Sequence, residues 1–92
     1  MIRMNCFFQA KKGQYDRALE AGIALTAKSL NHEGCIAYDV FESATRPDVF
    51  AIIETWTDLA ALDKHMATPE FKEYVDIILE CGEMKIEQLE KE

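Results

Sequence analysis

Four stretches of the chain are predicted to be β-strands, three from side chains that alternate between two faces and one from its composition. The first three stretches are Ile2–Ala10, 35–43 and Val49–Trp56, and the last is 84–89. The third is rich in β-branched and aromatic residues, which favour strands. A short link that contains a proline, 44–48, separates the second stretch from the third. We therefore expect these two strands to pair as an antiparallel hairpin.

Between these stretches the apolar residues recur at intervals of three and four, which is typical of amphipathic helices. One helix of about four turns is predicted over 14–30, and a short one over 59–67. A third helix begins at Thr68, has Pro69 at its first helical position and ends at Gly82. Its apolar side chains have the most regular helical spacing in the chain: Phe71, Tyr74, Val75, Ile78 and Leu79.

The predicted elements follow the order β-α-β-β-α-α-β. This order belongs to the α+β class and is that of the ferredoxin-like split β-α-β fold. In such a fold an antiparallel sheet carries its helices on one face. No repeat, linker or low-complexity segment interrupts the order, so residues 1–92 are predicted to form a single domain.

The first three strands carry apolar side chains on both faces, for example Phe7 beside Phe8 and Phe41 beside Val40. The helices can cover only one face of the sheet. The other face would leave an apolar patch larger than soluble monomers usually expose. A second copy of the chain, packed sheet to sheet, is the simplest cover, so a homodimer is predicted.

Composition and charge argue against several classes of partner. Hydrophobic residues make up 49% of the 92, which suffices for one core, and 10 basic against 17 acidic residues give a net charge of −7. Such an acidic chain lacks the positive field that attracts nucleic acids, and anionic membranes repel it. We therefore expect neither as a partner. No apolar run approaches the roughly 18 residues that suggest a membrane span.

Cysteines, histidines and the first residues bear on location and metals. Three cysteines without paired spacing indicate reduced thiols, and residues 1–9 are too polar for a signal peptide. A cytoplasmic location is therefore expected. The two histidines, His32 and His65, are far apart in the sequence, and no CxxC, HxxxH or HExxH pattern occurs. No metal site is expected.

Several short motifs occur in a distinctive order and spacing. They are EGCIAYD at 33–39, RPDVF at 46–50, ETW at 54–56, ALDKH at 61–65 and TPEF at 68–71. Together they resemble the antibiotic biosynthesis monooxygenase (ABM) domain family over nearly the whole chain. The most specific part is E-x-W, followed nine residues later by the histidine of A-L-x-x-H. The family's domains form dimeric α+β barrels, so the resemblance implies the same fold and assembly.

The resemblance implies a cofactor-independent monooxygenase, which oxidises a quinol or a polycyclic phenol with O2 and uses no metal, flavin or nicotinamide. The alternative is a non-catalytic dimeric module that binds a small apolar ligand on the same scaffold. Glu70 stands where the family often has a second histidine, which favours the alternative, and Lys12 stands where many members have proline. A related branch degrades haem with a histidine at the position of Val75, so haem degradation is the less expected activity.

The implied reaction needs a base in a dry pocket. Triplet dioxygen reacts slowly with closed-shell molecules, but an electron-rich phenolate or hydroquinone anion can first transfer one electron to it. The protein must then remove a phenolic proton and keep the radical pair together. His65, at the border of the apolar stripe of the short helix, is the predicted catalytic base, and its structural alternative is a half-exposed helix histidine or a cap partner. His32, in a polar loop, is expected to be exposed to solvent.

Four further residues are predicted to bind the substrate, each with a structural alternative. Trp56 offers a ring face and could instead be a core or dimer contact. Tyr74 can donate its hydroxyl but belongs to the apolar stripe of the third helix. Asn5 can orient an oxygen or lie at the dimer seam. Glu54 can steer the catalytic histidine or pair across the sheet with a lysine or arginine.

Overall fold

A computed structural model describes residues 1–90 of the chain, and its elements follow the predicted order. They are β1 (Ile2–Ala10), α1 (Tyr15–Ser29), β2 (Cys35–Glu42), β3 (Val49–Trp56), α2 (Leu59–Met66), α3 (Pro69–Cys81) and β4 (Gly82–Glu90). The predicted α+β, ferredoxin-like fold is confirmed. The single domain predicted over 1–92 includes residues 91 and 92, which lie outside the described residues.

The four strands form one antiparallel sheet in the order β2-β3-β1-β4. The predicted hairpin of β2 and β3 is therefore confirmed. Within the sheet Ile52 of β3 lies opposite Cys6 of β1 on one side and Val40 of β2 on the other. β1 and β3 are the central strands, so a polar side chain that they turn toward the helices has to find its partners inside the protein.

The last strand begins at Gly82, two residues before the predicted start, because α3 passes into it without a loop. Gly82 pairs with Ala10 of β1, and a Cβ atom at Gly82 would overlap the backbone carbonyl oxygen of Gln9. Only glycine lets the two backbones approach this closely. The glycine that was predicted to end the helix therefore also starts the strand.

The three helices pack on one face of the sheet and enclose the core with it. On that face Phe8 of β1 stacks on Phe50 of β3, with ring centroids 4.7 Å apart. Two cysteines of this layer, Cys6 and Cys81, are buried and free, and Cys35 is free as well, as the sequence led us to expect. Within residues 1–90 no helix combines the length and the apolar character needed to cross a membrane.

The opposite face of the sheet is not covered by any helix of residues 1–90. Phe7, Phe41 and Leu89 point from it and are 40%, 50% and 48% exposed. Phe7 and Phe41 both lie opposite Ala51, so their side chains share one row across the sheet. Phe7 and Phe41 are among the residues from which the sequence predicted a homodimer, and Leu89 of β4 extends the same apolar face.

Candidate functional site

A small cavity lies between the sheet and the helices. Its volume is about 70 Å³ and its wall is almost wholly apolar. Every helix and strand contributes to the lining, which comprises Met4, Cys6, Leu25, Tyr38, Ile52, Glu54, Leu62, Met66, Phe71, Val75, Ile78, Met84 and Ile86. Met66 and Ile86 are exposed on the outside, so the cavity opens to solvent between α2 and β4. Among the described residues of this wall, only Glu54 and Tyr38 have a carboxyl or hydroxyl group.

Glu54 faces the helices because it shares strand parity with Ile52, whose side chain is in the core. Its carboxyl accepts a hydrogen bond of 2.8 Å from Trp56 Nε1 at Oε1, and Cys6 Sγ lies 3.9 Å from Oε2. Burial raises the pKa of Glu54 to about 7, against the opposing effect of hydrogen bonds from Trp56, Cys6 and Tyr38. A carboxyl group on the cavity wall can therefore exchange a proton near neutral pH.

The cross-strand pair predicted for Glu54 with a lysine or arginine does not form among residues 1–90. The residues directly opposite Glu54 are Met4 and Tyr38. Neither can neutralise a carboxylate, and burial also raises the pKa of the Tyr38 phenol. Without a cation beside it, the buried carboxyl keeps its raised pKa.

His65 lies on α2 and is fully buried, which excludes the half-exposed helix histidine as its role. Its ring lies against Trp56, with centroids 4.4 Å apart, and Phe71 meets its edge at 5.1 Å. Burial, and then the proximity of His32, lower the pKa of His65 to about 4. Its Nε2 has no hydrogen-bond partner among residues 1–90 and lies 4.0 Å from Oε1 of Glu54. His65 stands behind Glu54, one side chain away from the cavity.

His32 is not exposed as the sequence led us to expect. Its Nδ1 lies 2.8 Å from Nδ1 of His65, and its Nε2 lies 3.2 Å from Oε2 of Glu70. The loop folds back onto α2 because Gly34 adopts a φ of 81°, and a Cβ atom there would overlap Ala61 of α2. The position where the family often has a second histidine is thus held by Glu70, and the second imidazole of this site comes from the loop.

Of the five predicted site residues, three come together and two do not. Glu54, Trp56 and His65 form one contiguous group beside the cavity. Tyr74 is half-buried and lies beside Lys28 and Glu70 at the outer surface between α1 and α3. Asn5 has the opposite strand parity from Cys6 and therefore lies on the face of the sheet turned away from the helices.

Tyr38, Cys6 and His32 belong to this site, and the sequence reasoning missed them. Tyr38 could have been found, since the register of the predicted hairpin places it directly opposite Glu54. Cys6 was considered only as one of three reduced cysteines, although its strand parity places it on the same face as Glu54. The contact of His32 depends on the conformation of one loop, for which the spacing of residues gives no signal.

Fold and site together define a class of small ferredoxin-like domains that hold a carboxyl and an imidazole beside an apolar cavity. Residues 1–77 match the sequence model of the family described as antibiotic biosynthesis monooxygenase. The match covers most of the chain, so the protein belongs to the ABM family, as its resemblance implied.

The chain is also similar to solved structures and to curated sequences. A conserved protein of unknown function from Bacteroides thetaiotaomicron, described as a possible oxidoreductase, is 50% identical, with a TM-score of 0.93 and coverage of 96% of this chain and 94% of that one. A structure named antibiotic biosynthesis monooxygenase is 29% identical, with a TM-score of 0.90 and coverage of 99% and 98%.

An uncharacterized protein of Synechocystis sp. is 39% identical over an alignment of 62 residues, and the match covers 63% of this chain and 42% of that protein. The chain therefore matches less than half the length of this relative. Family membership and the names of these proteins support a general monooxygenase-like role.

Proposed function

We propose that the protein is a cofactor-independent monooxygenase that oxidises a quinol or a polycyclic phenol with O2. The observation that carries this proposal is a buried carboxyl group, Glu54, on the wall of an apolar cavity and with a pKa raised to about 7. A base of that strength, held away from water, suits the removal of a phenolic proton near neutral pH. Family membership adds the monooxygenase chemistry.

Glu54 is the group that contacts the substrate hydroxyl and accepts its proton, because Glu54 lines the cavity and His65 does not. His65 is the next proton acceptor after Glu54. Its Nε2 has no hydrogen-bond partner among residues 1–90 and lies 4.0 Å from Oε1 of Glu54. Trp56 holds the Glu54 carboxyl by its hydrogen bond and packs against the His65 ring. His65, which the sequence predicted as the base, is therefore the second proton acceptor in this path.

The reaction balances without an added reductant. The deprotonated ring gives one electron to O2, and the resulting superoxide and ring radical combine to a peroxide. The peroxide anion takes up one proton from water in place of the one removed from the substrate. Loss of H2O then leaves one oxygen atom on the ring, so that a hydroquinone and O2 become a hydroxyquinone and H2O. The apolar wall keeps bulk water from separating the radical pair.

The cavity of about 70 Å³ is smaller than the roughly 300 Å³ at which ligand pockets usually begin. The ring therefore enters by displacing side chains at the mouth, where Met66 and Met84 offer flexible, unbranched walls. The substrate this site suits is a flat aromatic molecule whose hydroxyl leads into the cavity.

Oxygen uptake tests the proposal directly. Metal-stripped protein is supplied with a panel of hydroquinones and anthrones, and at least one is expected to be hydroxylated with uptake of one O2. Glu54→Gln is expected to lower the rate by roughly 100-fold or more. Glu73→Gln, an exposed change on α3, is the matched control and keeps the full rate. Binding of these compounds without any oxidation would support the non-catalytic ligand-binding module instead.

We also propose that the protein is a homodimer that packs through the open face of its sheet. The exposed Phe7, Phe41 and Leu89 support this, since together they form an apolar surface that a second copy would remove from water. Asn5 would then lie at the dimer seam. Light scattering is expected to give twice the chain mass of 10.5 kDa at micromolar concentration, and Phe41→Lys to shift the population to monomer.

A further inference from the structure

Four titratable side chains follow one another from the protein surface to the cavity. Glu70 is 3.2 Å from His32, His32 is 2.8 Å from His65, and His65 is 4.0 Å from Glu54. In the same order their side chains are 31%, 13%, 0% and 6% exposed. The row therefore runs from solvent into the interior, and each member lies within or near hydrogen-bond distance of the next.

The hydrogen-bonding capacities of these groups fix where the protons lie. Glu70 is ionised at neutral pH, since hydrogen bonds from its own backbone N–H and from His32 lower its pKa. A carboxylate only accepts, so His32 donates from Nε2. Neutral His32 then has a lone pair at Nδ1, and His65 must donate to it from Nδ1. The Nε2 of His65 is consequently a lone pair that faces Glu54.

We propose that His65, His32 and Glu70 form a proton relay that carries the substrate's proton from Glu54 to the protein surface. The relay rests on the proposed function, because it gives that reaction its exit for the proton. His32 and Glu70 are positioning residues in this scheme, since neither of them reaches the cavity.

Each transfer in the relay breaks one bond to hydrogen and forms another. The Glu54 carboxyl turns toward His65 and gives its proton to Nε2, while the proton on Nδ1 of His65 passes to Nδ1 of His32. His32 becomes an imidazolium that donates to the Glu70 carboxylate, and then releases one proton to water. His65 ends neutral with its proton on Nε2, and ring rotation or a return transfer restores the starting tautomer.

The relay explains how a buried histidine that resists protonation can still move a proton. Burial disfavours a lasting positive charge on His65. In the relay the charge settles on His32, which is beside the Glu70 carboxylate and closer to solvent. The other charged groups near this end are Lys28 of α1, which acts on Glu70, and the exposed pair of Lys64 and Glu33. At the inner end the facing titratable groups are Glu54 and Tyr38.

Proton–nitrogen NMR of the two imidazoles tests the relay without any substrate. While both rings are neutral, we expect His65 with its proton on Nδ1 and His32 with its proton on Nε2. Glu70→Gln, whose amide can also donate to Nε2 of His32, is expected to give a mixture of the two His65 tautomers, and the matched control Glu73→Gln to keep the Nδ1–H form. A neutral His65 that carries its proton on Nε2 in the wild type would overturn the relay.

Turnover adds a second readout that a purely structural role would not change. His32→Ala is expected to lower kcat about 10-fold with little change in KM. Free imidazole is expected to restore the rate, because the removed ring borders a surface depression of about 230 Å³ next to Thr68 and Lys64. Glu70→Gln is expected to shift the pH profile of kcat, whereas Glu70→Asp retains it.

The two proposals fail in different ways. If no compound is oxidised but the two histidines hold the tautomers described above, the monooxygenase assignment falls and the proton path stands. If oxidation depends on Glu54 but His65 carries its proton on Nε2 and imidazole does not rescue His32→Ala, the relay falls and the monooxygenase stands.

Discussion

The two carboxyl groups at the ends of the histidine pair have opposite environments. Among residues 1–90 no cation lies beside Glu54, at the inner end, and burial raises its pKa to about 7. Glu70, at the outer end, lies in the first turn of α3, where its own backbone N–H and His32 lower its pKa. A glutamate is thus a proton acceptor that titrates near neutral pH at one end and an anion at neutral pH at the other. Local surroundings, and not residue type, assign the two roles.

The largest expected difference between the two ends is in turnover. His65→Gln interrupts the inner end directly behind Glu54 and is expected to lower the rate of oxygen uptake by roughly 100-fold. Glu70→Gln leaves both imidazoles in place and is expected to lower it by only about 10-fold. Oxygen-electrode assays of the two purified variants with one hydroquinone check the order. Equal losses in both variants would contradict the division of roles.

The inner carboxyl is expected to make the fold less stable as pH rises. The unfolded chain ionises Glu54 near 4.5 and the folded protein near 7, so the folded state binds more protons between these values. The wild type should therefore lose about 3 kcal/mol of unfolding free energy relative to Glu54→Gln over this window. Urea unfolding of both proteins across the window measures the difference. A constant difference would show that the Glu54 pKa is not raised.

His65 is expected to give the opposite slope. Its pKa falls from 6.5 in the unfolded chain to about 4 in the folded protein, so the unfolded state binds the extra proton as pH drops. Relative to His65→Gln, the wild type should lose about 3 kcal/mol as pH falls through this window. In the pH range that the two windows share, the slopes that Glu54 and His65 give to the unfolding free energy nearly cancel in the wild type. Each slope is therefore measured by comparison with its own single variant. The same urea series measures this, and a rise in relative stability toward acid would refute the buried neutral imidazole.

The outer carboxyl is expected to have the smallest effect on stability. The pKa of Glu70 is lowered in the folded state, so its contribution is present above the unfolded value and is lost as pH falls. Solvent screens this partly exposed group. Glu70→Gln should therefore lower the melting temperature slightly near neutral pH and not at all in acid. Calorimetry at the two pH values, with Glu73→Gln as control, checks the sign.

Alternation in three strands, the β-branched and aromatic composition of β3, and helical spacing predicted every element of the fold. The alternation along a strand also placed Glu54 and Trp56 on one face, because residues two positions apart on a strand lie on the same side of the sheet. The same rule places Asn5 on the other side, away from the cavity, which the choice of residues by polarity alone overlooked.

The contact between the two histidines could not be predicted from spacing. It depends on the positive φ of Gly34 and on the absence of a Cβ atom where the loop meets α2. Tertiary packing of this kind joins residues that are distant in the sequence, and neither propensity nor periodicity records it. Glu70 was read as the loss of a histidine for the same reason, since its partner in the loop was not visible.

NMR of the carboxyl carbons gives the most direct test of the acid–base site. One glutamate resonance is expected to titrate near a pH of about 7 and to disappear in Glu54→Gln. If the Glu54 carboxyl instead titrates at the ordinary value of 4.5, the cavity holds no base for neutral pH and Glu54 does not accept the substrate's proton.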